Sequence, residues 1–149
     1  MIEVTNDFTI DKEEFFNILK SNQIENIVGE YDSIVELSKN IFSVQDGDIN
    51  LTYNDIINIF DCERDINIVT LKIDDIKDGL KFIVDSKKIN EYKSFCFHFF
   101  LNSDFMMIAL SEAMELIYES AHEESSIALC ISSDKLRTRN EIGINCFYS

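Results

Sequence analysis

Proline is absent from this sequence and glycine is scarce, with only four glycines among 149 residues. Flexible connections between domains are usually rich in these residues, so the sequence offers no obvious linker at which to divide it. Its apolar content of 46% is enough to build a core, which excludes a disordered tail. We therefore predict a single domain over residues 1–149, with an N-terminal arm and helix over 1–30 and the main body over 31–149.

Basic residues are also scarce, because 13 Lys and Arg stand against 28 Asp and Glu and leave a formal net charge of −15. Such a surface repels phosphate backbones and anionic lipids, so we expect no nucleic acid and no membrane among its partners. The N-terminus lacks the basic start and apolar segment of a signal peptide. No apolar run approaches the ~18 residues that a membrane span needs, and we expect a cytoplasmic protein.

Cysteine and histidine are too few and too scattered to indicate a metal or redox centre. Cys62, Cys96, Cys130 and Cys146 show no Cys-x-x-Cys spacing. Three of them lie in apolar stretches expected to be strands, where a free cysteine behaves as a small buried hydrophobe. His98 lies in an aromatic strand, where a lone histidine is more often packed and hydrogen-bonded than a ligand. A zinc site built from Cys96, His98 and Cys130 is the alternative, but we expect no metal and no cofactor.

Motifs that carry catalysis are missing as well. No two of the four glycines lie within ten residues of each other, so there is no glycine-rich cradle for phosphate. No serine occupies a Gly-x-Ser-x-Gly turn, and neither histidine has a motif around it. Paired acids such as Asp74 and Asp75 are more simply helix caps. We expect the chain not to be an enzyme.

Apolar periodicity predicts helices that alternate with strands. Strands are expected around Phe8–Ile10 and over Ile66–Ile73, Phe95–Leu101, Ile127–Ile131 and Ile142–Tyr148, the last two as a hairpin. Helices are expected after Asp11, over 31–42, after Thr52, after Asp74 or Asp75, and after 102–104. This order predicts an α+β domain with a mixed four-stranded sheet flanked by helices.

The longest predicted helix follows the aromatic strand Phe95–Leu101, and residues 102–104 are expected to supply its N-terminal cap. Its predicted core stripe comprises Met106, Leu110, Ala113, Met114, Ile117 and Ala121. A methionine-containing stripe of this spacing is more often core than a binding groove. The acids Glu112, Glu115 and Glu119 lie on the opposite side of the helix.

Residues 46–57 carry the most distinctive motif, with Gly47, Ile49, Asn50 and Asp55 at fixed spacing and Tyr53 between them. The segment resembles the loop-to-helix junction that opens the C-terminal domain of FtsZ, the bacterial tubulin homologue, whose pattern is Gly-x-Ile-Asn-x-Asp-Phe-x-Asp-Val. Residues 95–116 resemble the strand, loop and helix of that domain, and residues 126–148 its closing strands. The resemblance covers about 31–148 and implies a stand-alone domain without the GTP-binding domain or the peptide tail of FtsZ.

The resemblance also implies a mode of action. In the family, a filament subunit inserts this loop into the nucleotide site of its neighbour, where two aspartates position the attacking water. Asp55 keeps the second acid, whereas Thr52 replaces the first with a hydroxyl that cannot accept a proton from water. The resemblance therefore implies a loop that docks but catalyses poorly.

We interpret the chain as a protein-binding module that caps or modulates an FtsZ-like filament in bacterial cell division, with FtsZ or a second copy of itself as partner. Loop contacts are expected from Asp48, Ile49 and Asn50, and helix capping and interface contacts from Thr52, Tyr53 and Asp55. A purely structural role for this loop is the simpler alternative. Two other functions remain open: an acidic inhibitor or immunity-type protein that covers a basic active site, and a vestigial enzyme or small-ligand domain.

Overall fold

This computed structural model describes residues 1–20, 33–34, 36–37, 51–60, 64–134 and 141–149. Within these ranges lie five strands, four complete α-helices and one short 3-10 helix, Ile89–Glu91. Ser33, Ile34, Glu36 and Leu37 are also helical. In chain order the elements are β1 (Ile2–Ile10), α1 (Lys12–Lys20), α2 (Tyr53–Ile59), β2 (Ile66–Ile73), α3 (Ile76–Lys87), β3 (Ser94–Asn102), α4 (Met107–Ser120), β4 (Ser126–Asp134) and β5 (Ile142–Tyr148).

The strands form one mixed sheet in the order β1–β2–β5–β3–β4. Only β3 and β4 run parallel among the paired strands of the described residues, and α4 makes the crossover between them. The other three pairs are antiparallel. The predicted α+β class, with helices packed on a mixed sheet, is confirmed.

The sheet has five strands rather than the predicted four, because the N-terminal arm is itself a strand. Its register runs from Ile2 opposite Ile73 to Ile10 opposite Ile66, with an irregularity between Val4 and Asn6. An edge strand has one neighbour only, and most of β1 is exposed. Apolar and polar residues therefore alternate only weakly along β1, and the apolar periodicity predicts a strand only around Phe8.

The predicted hairpin of β4 and β5 is wrong. β5 lies between β2 and β3, with Tyr148 opposite Asn67 on one side and Phe95 on the other. Six of its seven residues are buried, which is the pattern of a central strand rather than an edge. Strands that follow each other in the sequence often pair, but β5 is a buried central strand and does not pair with β4.

Each face of the sheet carries its own apolar core. The α3–α4 face packs the stacked rings of Phe95, Phe97 and Phe99 against α3 and α4. The α1–α2 face packs Ile66, Ile68 and Phe147 against α1, α2 and the helical residues Ile34 and Leu37. Helices on both faces explain why β2, β3 and β5 read as nearly continuous apolar runs.

The stripe predicted for α4 is confirmed for Leu110, Ala113, Met114 and Ile117, which are all buried. It is wrong for Met106, which precedes the helix and is 67% exposed. The predicted cap over 102–104 is also wrong, because the N-cap position is occupied by Met106 and has no side-chain hydrogen bond. Asn102 Oδ1 instead accepts the amide of Asp104 at 2.8 Å in the turn that ends β3.

The cysteines that the structure describes are free and buried. Cys96 and Cys130 pack in the α1–α2 core and Cys146 in the α3–α4 core, whereas Cys62 lies outside the described residues. None of the helices within the described ranges is long and apolar enough to cross a membrane.

Candidate functional site

The predicted interaction loop leads into the N-terminus of α2. Of its six residues, Thr52, Tyr53 and Asp55 are described, whereas Asp48, Ile49 and Asn50 lie outside the described residues. Their predicted role in partner contact stays a prediction. The described part of the site is the helix start that follows them.

Thr52 is the N-cap of α2, with φ −86° and ψ 161°. Its Oγ1 accepts the amide of Asp55 at 3.1 Å, and Asp55 Oδ2 accepts the amide of Thr52 at 2.9 Å. The two residues thus form a complete capping box, as the sequence predicted, with Asp in place of the usual Glu or Gln. Two amides that the first helical turn leaves without partners are satisfied in this way.

The hydrogen bond from the Thr52 amide, followed by the bond from its side chain, holds the pKa of Asp55 below its ordinary value of 3.8. The carboxylate is exposed, so its charge also faces solvent at the positive end of the helix. Asp55 therefore stabilises the helix start and remains accessible to a partner.

Tyr53 connects α2 to α1. Its ring meets the edge of Phe16 with centroids 6.4 Å apart, and Lys20 Nζ lies 5.4 Å from the ring centroid. The side chain is half-buried, so much of its surface packs against other residues of the chain. Tyr53 thus also packs against α1, in keeping with its predicted place on the apolar face of this helix together with Ile56 and Phe60.

The side of α2 that carries Tyr53 also fixes the helix to the sheet. Ile56 and Phe60 are fully buried in the α1–α2 core, and Phe60 meets Phe15 of α1 edge-on with centroids 5.8 Å apart. Thr52, Asn54 and Asp55 are exposed on the other side. A rigid helix start therefore presents two polar side chains and one carboxylate to solvent.

A polar row that the sequence analysis did not identify crosses the α1–α2 face. Thr70 lies opposite Asn6 on one side and Asn145 on the other, and Asn145 lies opposite His98. Thr70, Asn145 and His98 are buried. In the sequence, such a row is indicated only by single polar residues at core positions of otherwise apolar strands, as His98 is in β3.

Hydrogen bonds join this row to a helical residue. Asn145 Nδ2 donates to Glu36 Oε2 at 3.2 Å and lies 3.4 Å from His98 Nδ1, while His98 Nε2 lies 2.9 Å from Ser132 Oγ. The prediction that His98 is packed and hydrogen-bonded is confirmed. Buried polar groups that are satisfied only in one register help to specify that register.

The residues considered for zinc have other roles in the structure. Cys130 Sγ lies 3.7 Å from the carbonyl oxygen of Phe97, and Cys130 lies opposite His98 in the parallel ladder. Among the described residues, no group of three or more His, Cys, Asp or Glu is placed to hold a metal ion. The hydrogen bond with Cys96, together with burial, raises the pKa of the Cys130 thiol well above its ordinary value of 9.0.

The sheet order and the helices on its two faces define an α+β fold of the FtsZ/tubulin type. Solved structures with this architecture include the empty FtsZ dimer of M. jannaschii, with a TM-score of 0.62, 78% of this chain covered and 13% sequence identity. The chain spans 35% of that FtsZ chain. The sequence matches no protein-family model and no curated protein. The similarity therefore shows an FtsZ-like fold.

Proposed function

We propose that this chain is a non-catalytic protein-binding module related to the C-terminal domain of FtsZ, which caps or modulates an FtsZ-like filament through residues 46–55. The observation that carries the proposal is the FtsZ-like fold, since 78% of the chain matches a solved FtsZ structure. Of the motif residues, Asp55 lies in the first turn of α2. Gly47, Ile49 and Asn50 precede that helix in the sequence. Self-association through the same surface is the variant of this proposal in which a second copy replaces FtsZ.

The capping box supports a binding role without catalysis. Thr52 stands at the position of the first family aspartate, and its Oγ1 already accepts the amide of Asp55. A hydroxyl in this position orients a water molecule at most, because it carries no charge and is a poor base. A filament that receives this loop would gain contact without efficient hydrolysis of its nucleotide, so its end would be stabilised.

A second candidate function is favoured by the outer surface of α4. Glu112, Glu115 and Glu119 are exposed along this helix, and the whole chain carries a net charge of −15. Carboxylates on such a face suit an inhibitor that covers a basic active site. Binding of that kind weakens steeply with salt, whereas a loop that docks through Ile49 and Asn50 depends on salt much less.

Co-sedimentation with FtsZ from the organism that encodes the chain tests the proposal. We expect the chain to pellet with FtsZ polymers formed in GTP, to lower their turnover, and to bind no GTP itself by calorimetry. Equal pelleting with and without polymers would contradict filament binding. Micromolar GTP binding by the chain alone would contradict the non-catalytic role, and loss of binding in moderate salt would favour the inhibitor function.

A further inference from the structure

The outer face of α4 combines exposed apolar and acidic side chains. At 3.6 residues per turn, the exposed side chains of this helix fall within one arc of about 140°, opposite the buried stripe. The helix has 14 residues and is therefore about 21 Å long. This α4 outer face comprises Met107, Ile108, Ser111, Glu112, Glu115, Tyr118 and Glu119.

Apolar residues are concentrated at the N-terminal end of this face. Seven large apolar side chains are exposed in the described part of the chain, and four of them lie on α4 or directly before it. Three of the four are consecutive, at Met106, Met107 and Ile108. Single exposed apolar residues are normal on a protein surface, whereas a contiguous group indicates contact with a partner. Methionine side chains adapt well to such contacts.

Glutamates occupy the rest of the face, and their arrangement is unfavourable for the helix alone. Glu115 lies three residues after Glu112 and four before Glu119, so like charges are neighbours on the helix surface. Glu119 also lies in the last turn, at the negative end of the helix dipole. α4 contains no basic residue, and none of these glutamates forms an ion pair with another residue that the structure describes. A cationic partner would offset both unfavourable terms.

The C-terminal end of the face adjoins a cavity of about 480 Å³. Tyr118, Glu119 and Glu123 are among the residues that line it, so carboxylates lie beside an aromatic ring. A lysine or arginine side chain suits this position, because it can pair with the carboxylates and lie over the ring. The face thus offers an apolar contact at one end and a cation contact at the other, which sets the direction of its partner.

The spacing of the glutamates favours a helix as the partner. Glu112, Glu115 and Glu119 follow each other at about 4.5 Å and about 6 Å along the helix axis. Basic residues three and four positions apart on a second helix have the same spacing, whereas a strand places side chains of one face about 6.8 Å apart. A second copy of the chain is the wrong partner, because its α4 would bring three more glutamates against these.

We propose that the α4 outer face binds an amphipathic helix of a partner protein. The apolar end of that helix contacts Met107 and Ile108, its lysines or arginines meet the three glutamates of the face, and the last of them reaches the cavity beside Tyr118. The face includes none of residues 46–55, so this interaction is additional to the proposed filament contact. It shares only the glutamates with the inhibitor candidate, and it adds an apolar contact and a helical partner.

Selection from a phage library of helical peptides, randomised on one face and with the full chain as bait, tests the proposal. We expect enriched peptides with apolar residues at one end and lysines or arginines three and four positions apart in the rest. Synthetic versions should bind about tenfold more weakly when two basic residues are changed to Glu, or when the apolar residues are changed to Ser. Salt should weaken binding without abolishing it, because the apolar contact is not screened. Fluorescence anisotropy measures these effects.

Variants of the chain locate the charged part of the surface. Glu112→Lys with Glu115→Lys should weaken the enriched peptide about tenfold. Its melting temperature should be no lower than that of the wild type, because Glu115→Lys replaces a repulsive contact with Glu119 by an attractive one. Glu3→Lys with Glu13→Lys, on β1 and α1, changes the net charge equally and is the matched control, which should bind normally.

Met107→Ser with Ile108→Ser tests the apolar end and should weaken the peptide about tenfold without unfolding, because both side chains are exposed. Both test pairs should pellet with FtsZ polymers as the wild type does. If the wild type does not pellet, the filament proposal fails, and the peptide results still decide this one. No enriched helix, equal weakening by the control pair, or unchanged binding by either test pair would overturn the proposal. Loss of FtsZ pelleting by the apolar pair would also overturn it, because these residues would then belong to the filament contact.

Discussion

Thr52 and Asp55 each accept the other's backbone amide, at 3.1 Å and 2.9 Å, and together close the N-terminus of α2. The two residues occupy the positions of the family's two catalytic acids in the resemblance to FtsZ. In this chain Asp55 carries a carboxylate and Thr52 is the helix cap. The same pair therefore contributes to the stability of the fold and to any partner surface, and experiments have to separate the two roles.

The first prediction concerns the cap. Thr52→Ala removes the acceptor for the Asp55 amide and should lower the free energy of unfolding by about 1 kcal/mol. Thr52→Ser keeps the hydroxyl and should remain near wild type, which makes it the matched control. Urea denaturation followed by circular dichroism measures both. An alanine variant as stable as the serine variant would show that the cap contributes nothing.

The second prediction concerns pH. Bonds from Thr52 hold the pKa of Asp55 below its ordinary value of 3.8 in the folded chain. The stabilising contribution of the carboxylate is thus fully present above the unfolded pKa and is lost as pH falls through the folded pKa. The stability difference between wild type and Asp55→Asn should be present at about pH 6 and disappear near pH 2. A difference that stays constant over this range would contradict the prediction.

The third prediction concerns the thiols. Burial raises the pKa of Cys146 well above its ordinary value of 9.0, and the bond with Cys96 together with burial does the same for Cys130. Since only the thiolate reacts, both should resist a thiol reagent in the native state. Mass spectrometry should find them labelled quickly only after denaturation. Rapid labelling of Cys146 in the native protein would contradict the prediction and would mean that the α3–α4 face of the sheet opens to solvent.

Burial explains which elements the sequence could predict. The bounds predicted for β2, Ile66–Ile73, and β5, Ile142–Tyr148, agree with the structure. Both strands have a neighbour on each side and helices over each face, so their residues form nearly continuous apolar runs. β1 lies at the edge of the sheet and is mostly exposed, so the sequence predicts a strand only near Phe8.

Pairing and local geometry were harder to predict, because they depend on contacts distant in sequence. The position of β5 between β2 and β3 follows from its burial and not from its nearness to β4. Met106 fits the apolar period of α4. However, Phe105 and Met106 precede the helix without helical structure, and the side chain of Met106 is exposed. The partnership of Asn145 with His98 likewise arises only when the strands assemble.

The candidate site was predictable where it depends on local chemistry. A Thr and an Asp three residues apart are enough to predict a capping box, and Thr52 and Asp55 form one. The contact between Tyr53 and Phe16 was not predictable, because it joins helices separated by more than thirty residues. Whether Asp48, Ile49 and Asn50 bind a partner stays a prediction from the motif.

The fourth prediction concerns the aromatic core. Phe97 is fully buried and stacks between Phe95 and Phe99, with centroids 6.2 Å and 6.1 Å away. Phe97→Ala should lower the free energy of unfolding by about 3–5 kcal/mol, because it leaves a cavity in the centre of the sheet. Tyr118→Ala removes an exposed ring and should change it by less than about 0.5 kcal/mol. Thermal denaturation compares them, and equal losses would contradict this account of the core.

The fifth prediction separates partner binding from stability at the loop. Asn50→Ala and Ile49→Asp should abolish capture of FtsZ while changing the free energy of unfolding by less than about 0.5 kcal/mol, as the filament-binding proposal expects of residues whose role is contact with a partner. Thr52→Asp restores the family's two acids and also keeps a good N-cap residue. It should therefore bind FtsZ as the wild type does and raise the rate at which FtsZ hydrolyses GTP.

Each outcome at the loop favours a different role for it. Loop variants that bind FtsZ normally would remove the main support for filament binding and favour the acidic inhibitor, whose contacts lie on carboxylate faces such as that of α4. Variants that lower the free energy of unfolding by several kcal/mol would make the loop structural, because only buried or hydrogen-bonded groups carry such costs. Thr52→Asp separates docking from catalysis. Normal binding without faster hydrolysis would mean that the loop contacts the filament but does not reach its nucleotide.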